Sequence, residues 1–161
     1  MLNQKNVGIL LFNEVEVLDF AGPYEVFSIA TEPGQTQKLF SVKTIAEHKE
    51  AISARNGLKV LPDYDFSECP ALDLLIIPGG YGAEEIEIKN SVLLSWIRTR
   101  ASETRIVASI CTGAFLLAEA GLLNGKRATT HWMDIDRLAR DYPEISVVRN
   151  VKFVDEGEIL T

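Results

Sequence analysis

Cysteine and histidine are scarce in this chain, with two of each in 161 residues: Cys69 and Cys111, His48 and His131. Scattered as they are, they form no metal-ligand spacing, and no metal and no cofactor are expected. No apolar run is long enough to cross a bilayer and no signal-peptide pattern opens the chain. Together with the few cysteines this predicts a reducing, cytoplasmic setting with both thiols free. Clusters of Lys and Arg are also missing: 16 basic residues face 23 acidic ones, for a net charge of -7. Such a surface repels phosphate backbones and anionic lipid, so nucleic acid (for this chain alone) and membrane are not expected partners. Repeats, low-complexity tracts and linkers are absent, and the length suits one domain over 1–161. A phosphate loop is excluded too. "GLLNGK" from Gly121 has three residues between its glycines and no Ser or Thr after the lysine, which makes it a helix end and turn.

What is present is alternation of strand and helix. "NVGILLF" (6–12) and "LDLLII" (72–77) are continuous apolar runs of strand length, as in a parallel sheet buried on both faces. Strands are also predicted over 39–46, 58–61 and 105–110, the second in an edge hairpin reached through Asn56-Gly57. Short strands broken at Asp155-Glu156-Gly157 are predicted in the tail. Helices are predicted over 23–30, opened by Pro23, over 90–103 and 134–142, and over 114–122. In the second, Val92, Leu93, Trp96 and Ile97 recur at helical spacing, and in the third Ile135, Leu138 and Tyr142 do; both stripes read as core. The expected fold class is α/β, a three-layer sandwich with a mostly parallel sheet and a site at the carboxyl ends of its strands.

In "VASICTGAFLLAEAGLL" the cysteine stands where the strand gives way to a helix. Ser109 and Gly113 lie two residues either side of Cys111, the small-any-nucleophile-any-small spacing of a nucleophile elbow. Unpaired N–H groups of the following helix would favour thiolate, lowering the thiol below its ordinary value of about 8.5. The competing reading is a buried cysteine serving as a small hydrophobe.

Three further stretches supply polar groups to the same edge. "PGGYG" (78–82) follows a buried strand, and its glycines let backbone N–H groups approach a ligand closely; alone, it is also an ordinary turn. Asp19, in "VLDFAGPYEVF", is either functional or a helix cap. His131, in "ATTHW", is either a pocket residue or a half-buried histidine satisfied by its neighbours.

Taken in order, "VLDFAGPYEVF", "DLLIIPGGYG", "IVASICTGAFLLAEAGLLNGKRATTHW" and "YPEI" resemble the ThiJ/PfpI family of the class I glutamine amidotransferase-like superfamily. The resemblance is to the branch with isonitrile hydratases and the amino-terminal halves of AraC-type regulators. It implies a flavodoxin-like sandwich, usually a homodimer, with the cysteine on a strained turn. By position it implies Cys111 as nucleophile, Asp19 as the acidic residue bonded to it, and Thr112 as the residue following the nucleophile. Backbone N–H groups of Gly80 and Thr112 are the implied anion-stabilising pair, and Gly79 and His131 are implied pocket residues. The implied activity is hydration of an isonitrile to an N-substituted formamide. The alternative is a small-molecule-binding or redox-sensing domain of a transcriptional regulator. Protease, amidase or glyoxalase-type activity ranks below both, because Thr112 stands where protease-like members carry histidine. Members also continue past "VDEGEILT" into a long final helix. Its lack here predicts an uncovered sheet face and an incomplete pocket wall.

Overall fold

The computed structural model describes residues 4–161. Strands β1 (Lys5–Leu10), β2 (Phe40–Ala46), β5 (Tyr64–Asp65), β6 (Leu74–Ile77), β7 (Ile106–Ser109) and β10 (Ile159–Leu160) form one sheet in the order β10-β7-β6-β1-β2-β5. Every pairing in it is parallel. Val7, Ile9, Leu10, Leu75 and Ile77 have no exposed surface, which is why these runs read as uninterrupted hydrophobics rather than as alternation. The remaining strands form two small sheets. β3 (Ile52–Ser53) and β4 (Lys59–Val60) make an antiparallel hairpin, and β8 (Arg127–Ala128) pairs in parallel with β9 (Ser146–Val147). The hairpin is the one expected through Asn56-Gly57, both in the left-handed region at φ 62° and 90°.

Helix α1 (Val17–Ile29) packs against β1 and β2, while α3 (Gly113–Glu119) packs on β6 and β7 with α2 (Ser91–Glu103) against it; α4 (Ile135–Asp141) follows β8. The α/β sandwich is thus as expected, but α1 starts six residues before the predicted Pro23 and carries that proline inside it. Proline tolerates helical φ, and its cost is the missing N–H, here the one that the carbonyl of Asp19 would take. In α2, Asn90 caps the helix by accepting from Val92 N and Leu93 N at 3.1 and 3.2 Å. Leu93, Leu94 and Ile97 form its buried stripe, and Val92, expected in the core, is exposed. In the tail, the backbone N–H of Gly157 donates to Asp155 Oδ1 at 2.7 Å, closing the predicted break and returning the chain to the sheet edge as β10. The sheet beside α1 is open over Leu74, Ile106 and Ile110, which with Pro23, Val26 and Phe27 line an apolar cleft of about 700 Å³.

Candidate active site at the Cys111 elbow

Strand β7 ends at Ser109 and α3 begins at Gly113, so the turn between them has room for three residues. Cys111 occupies it at φ 55°, a left-handed conformation that a non-glycine residue holds only against about 1–3 kcal/mol of strain. Gly113 is required for the turn to close: a Cβ there would collide with the carbonyl oxygen of Ile77 on the adjacent strand. The Thr130 hydroxyl donates to the Cys111 carbonyl at 2.9 Å and holds the turn from the other side.

The first turn of α1 brings Asp19 to this elbow. Asp19 is 9% exposed, its Oδ2 accepts from the backbone N–H of Gly79 at 3.1 Å, and its carboxylate lies close enough to the Cys111 sulfur for each to act on the other. It caps nothing: the N-cap of α1 is Glu16, which makes no side-chain cap bond. Burial is the largest influence on the Asp19 carboxyl and raises it above the ordinary 3.8, outweighing the Gly79 N–H that stabilises its charge.

Cys111 departs from the sequence expectation. Burial, and next the Asp19 carboxylate, push its thiol up to about 11, against the lowering influence of the Thr112 backbone N–H and hydroxyl. The helix N-terminus acts in the expected direction but is outweighed by the desolvated sulfur and its anionic neighbour. The interaction is one-sided: the charged Asp19 carboxylate keeps the proton on the Cys111 sulfur, while the thiol beside it favours the carboxylate form of Asp19.

The glycine turn after β6 forms the floor. Gly79 admits no side chain, since a Cβ would stand 2.5 Å from the backbone nitrogen of Thr112. Gly80, at φ 114°, donates its N–H to the Thr112 hydroxyl at 2.9 Å. The Gly80 donor is thus engaged inside the protein, and the Thr112 N–H acts on the sulfur. His131 lines the cleft with Nδ1 3.4 Å from Asp134 Oδ2.

One side chain of the site escaped sequence reasoning. Glu84, on the helical turn Gly82–Ile86, reaches the Thr112 hydroxyl, and burial, then Asp134, raise its carboxyl. Its Oε2 is buried without a partner. The only trace in the sequence is a carboxylate shortly after the glycine turn. Cys111 opens into a cleft of about 810 Å³ whose outer wall, Arg149 to Phe153, was likewise not foreseen. Among the described residues no group of three or more His, Cys, Asp or Glu side chains could hold a metal ion, and no helix is long and apolar enough to cross a membrane.

A family model for the DJ-1/PfpI family matches residues 5–161. The chain belongs to the DJ-1/PfpI family. Within this family it is 39% identical over 132 residues to an isonitrile hydratase of Pseudomonas putida, covering 82% of this chain and 54% of that protein. It is 25% identical over 155 residues to the HTH-type transcriptional regulator GbdR of Pseudomonas aeruginosa, covering 96% and 41% respectively. The chain thus spans about half the length of these relatives. Among solved structures of the DJ-1/PfpI fold, a ThiJ/PfpI family protein from Pseudomonas syringae superposes with a TM-score of 0.84 at 25% identity, covering 99% of this chain and 62% of that one. Drosophila melanogaster DJ-1beta superposes with a TM-score of 0.82 at 22% identity, covering 99% and 81%.

Proposed function

We propose that this protein hydrates isonitriles to N-substituted formamides, with Cys111 as nucleophile and Asp19 as proton carrier. The observation that carries the reading is the left-handed Cys111 with the Asp19 carboxylate against its sulfur, and the 39% identity to an isonitrile hydratase supports it. The Cys111 thiol gives its proton to Asp19, and the thiolate attacks the terminal carbon of the isonitrile. Asp19 returns the proton to that same carbon, so the net step adds S–H across one atom and leaves a thioimidate. Water then adds to the carbon, the nitrogen takes a proton, and the C–S bond breaks, releasing the formamide and restoring the thiol. A raised carboxyl at Asp19 suits a group that must both take and return a proton, and the Thr112 N–H stabilises the sulfur while it is charged. Cys111→Ala should abolish formamide formation from a panel of small isonitriles, followed by chromatography. Turnover that survives the substitution would end the proposal.

The second reading, a ligand-binding domain of a regulator, is supported by the match to GbdR over nearly the whole chain. A protein that binds ligand at the Cys111 cleft but forms no formamide would favour it. For either reading we propose a cytoplasmic homodimer pairing through α1, where Leu18, Val26 and Ile29 are 76%, 63% and 58% exposed. Sedimentation should give twice the chain mass at micromolar concentration, and a monomer there would exclude the pairing.

A further inference from the structure

The cleft that receives Cys111 differs in charge from the rest of the molecule. Acidic residues outnumber basic ones 23 to 16 in the chain, yet the cleft lining has Arg149, Lys152 and His131 and no Asp or Glu side chain. The carboxylate that answers Arg149 lies outside the lining, since Asp136 pairs with it. No ion pair engages Lys152 among the described residues. Asn150, at φ 59°, turns the chain between Arg149 and Lys152, and both contribute to one wall. Beside them the surface is apolar and open to solvent, with Trp132 75%, Phe153 66% and Val151 44% exposed. A cation without a counter-ion next to exposed aromatic surface is the complement of a molecule with an apolar body and one negative charge.

We infer that the Cys111 cleft takes a small organic anion, an apolar molecule with a carboxylate, whose charge is held by Lys152 with Arg149. Where this names a substrate, a carboxylate-bearing isonitrile, it rests on the hydratase reading. The selectivity for an anion does not. The carboxylate sits on the wall and the reacting carbon reaches the sulfur, so the two ends of the ligand are fixed at once.

The test uses two alkylating agents of nearly equal size, anionic iodoacetate and neutral iodoacetamide, on the full chain, with modification of Cys111 followed by peptide mass spectrometry. The ratio of the two rates is normalised to that of N-acetylcysteine at the same pH, and the same ratio is measured in Lys152→Met and Lys152→Glu. The ratio should fall by about threefold in the first, as for an exposed charge, and by about tenfold in the charge reversal. It should also fall with added salt in the parent. A ratio equal in parent and both variants overturns the inference. A second arm compares turnover of a carboxylate-bearing isonitrile with its methyl ester. Preference for the ester in the parent also counts against the inference. If neither isonitrile reacts, the hydratase reading fails while the alkylation ratio still decides the charge of the ligand.

Discussion

The two cysteines are a natural experiment in what makes a thiol useful. Cys69 lies in the coil between β5 and β6, 8% exposed, with its Sγ donating to the Pro70 carbonyl at 3.4 Å. Burial raises its thiol, with Arg100 lowering it and Glu103 raising it more weakly. Cys111 is half-buried and its thiol is raised as well. Burial and thiol acidity therefore do not distinguish them. What does is the neighbourhood of the sulfur. Cys111 is held in a left-handed turn that opens into a cleft and has a carboxylate able to take its proton, while Cys69 faces a carbonyl that can only accept a weak bond. In the hydratase reading, Cys111 depends less on a low resting pKa than on a partner that accepts its proton at the moment of attack.

Replacing that partner should produce the largest separation between the two sites. Asp19→Asn keeps the bond from the Gly79 N–H but cannot carry a proton, so formamide formation should drop by about 100-fold or more. Stability should move the other way. The folded-state carboxyl of Asp19 lies above its unfolded value of 3.8, so the stability linked to its proton is fully present below that value and is lost as pH rises through the raised one. Removing the buried charge should therefore raise Tm by about 2–4 °C at neutral pH and less in acid, roughly as 1 kcal/mol does for a chain of this size. Scanning calorimetry over a pH series reads this, and a fall in Tm would mean that the carboxylate is held by more than the Gly79 bond.

A smaller effect is expected at Thr112. Thr112→Ala removes the hydroxyl that accepts from Gly80 but keeps the N–H facing the sulfur, leaving a buried donor unpaired at a cost of about 1–3 kcal/mol. Urea unfolding should show that loss, with turnover reduced less than in Asp19→Asn. A turnover loss as deep as that of Asp19→Asn would give the hydroxyl a direct part in the chemistry.

The parallel sheet was legible because its strands carry apolar side chains on both faces, and 6–12, 72–77 and 105–110 have no polar alternation to misread. The elbow was legible because sterics leave a residue-level mark: Gly113, Gly79 and Gly80 stand where a side chain would strike backbone. The start of α1 was misread because proline is compatible with both a first turn and an interior position, and only the packing of Val17 to Phe20 decides between them. Glu84 reaches Thr112, and the wall from Arg149 to Phe153 reaches the cleft of Cys111, across large sequence separations, and no local pattern announces that. The direction of the Cys111 shift was out of reach for the same reason. The helix N-terminus is written in the local sequence, whereas the depth of the sulfur and the carboxylate 92 positions earlier (111 − 19 = 92) are products of the fold.

The central claim is that the Asp19 carboxylate holds the proton on the Cys111 sulfur, and the pH dependence of alkylation at the two cysteines tests it most directly. Iodoacetamide rates at Cys111 and Cys69 are measured from pH 6 to 11 in the parent and in Asp19→Asn. The account predicts a Cys111 midpoint well above the ordinary thiol value of about 8.5 in the parent and a lower one in Asp19→Asn, with the Cys69 profile the same in both. The variant would then have a more acidic thiol and far less turnover. A parent midpoint below the ordinary value that does not move when Asp19 is replaced would contradict the account.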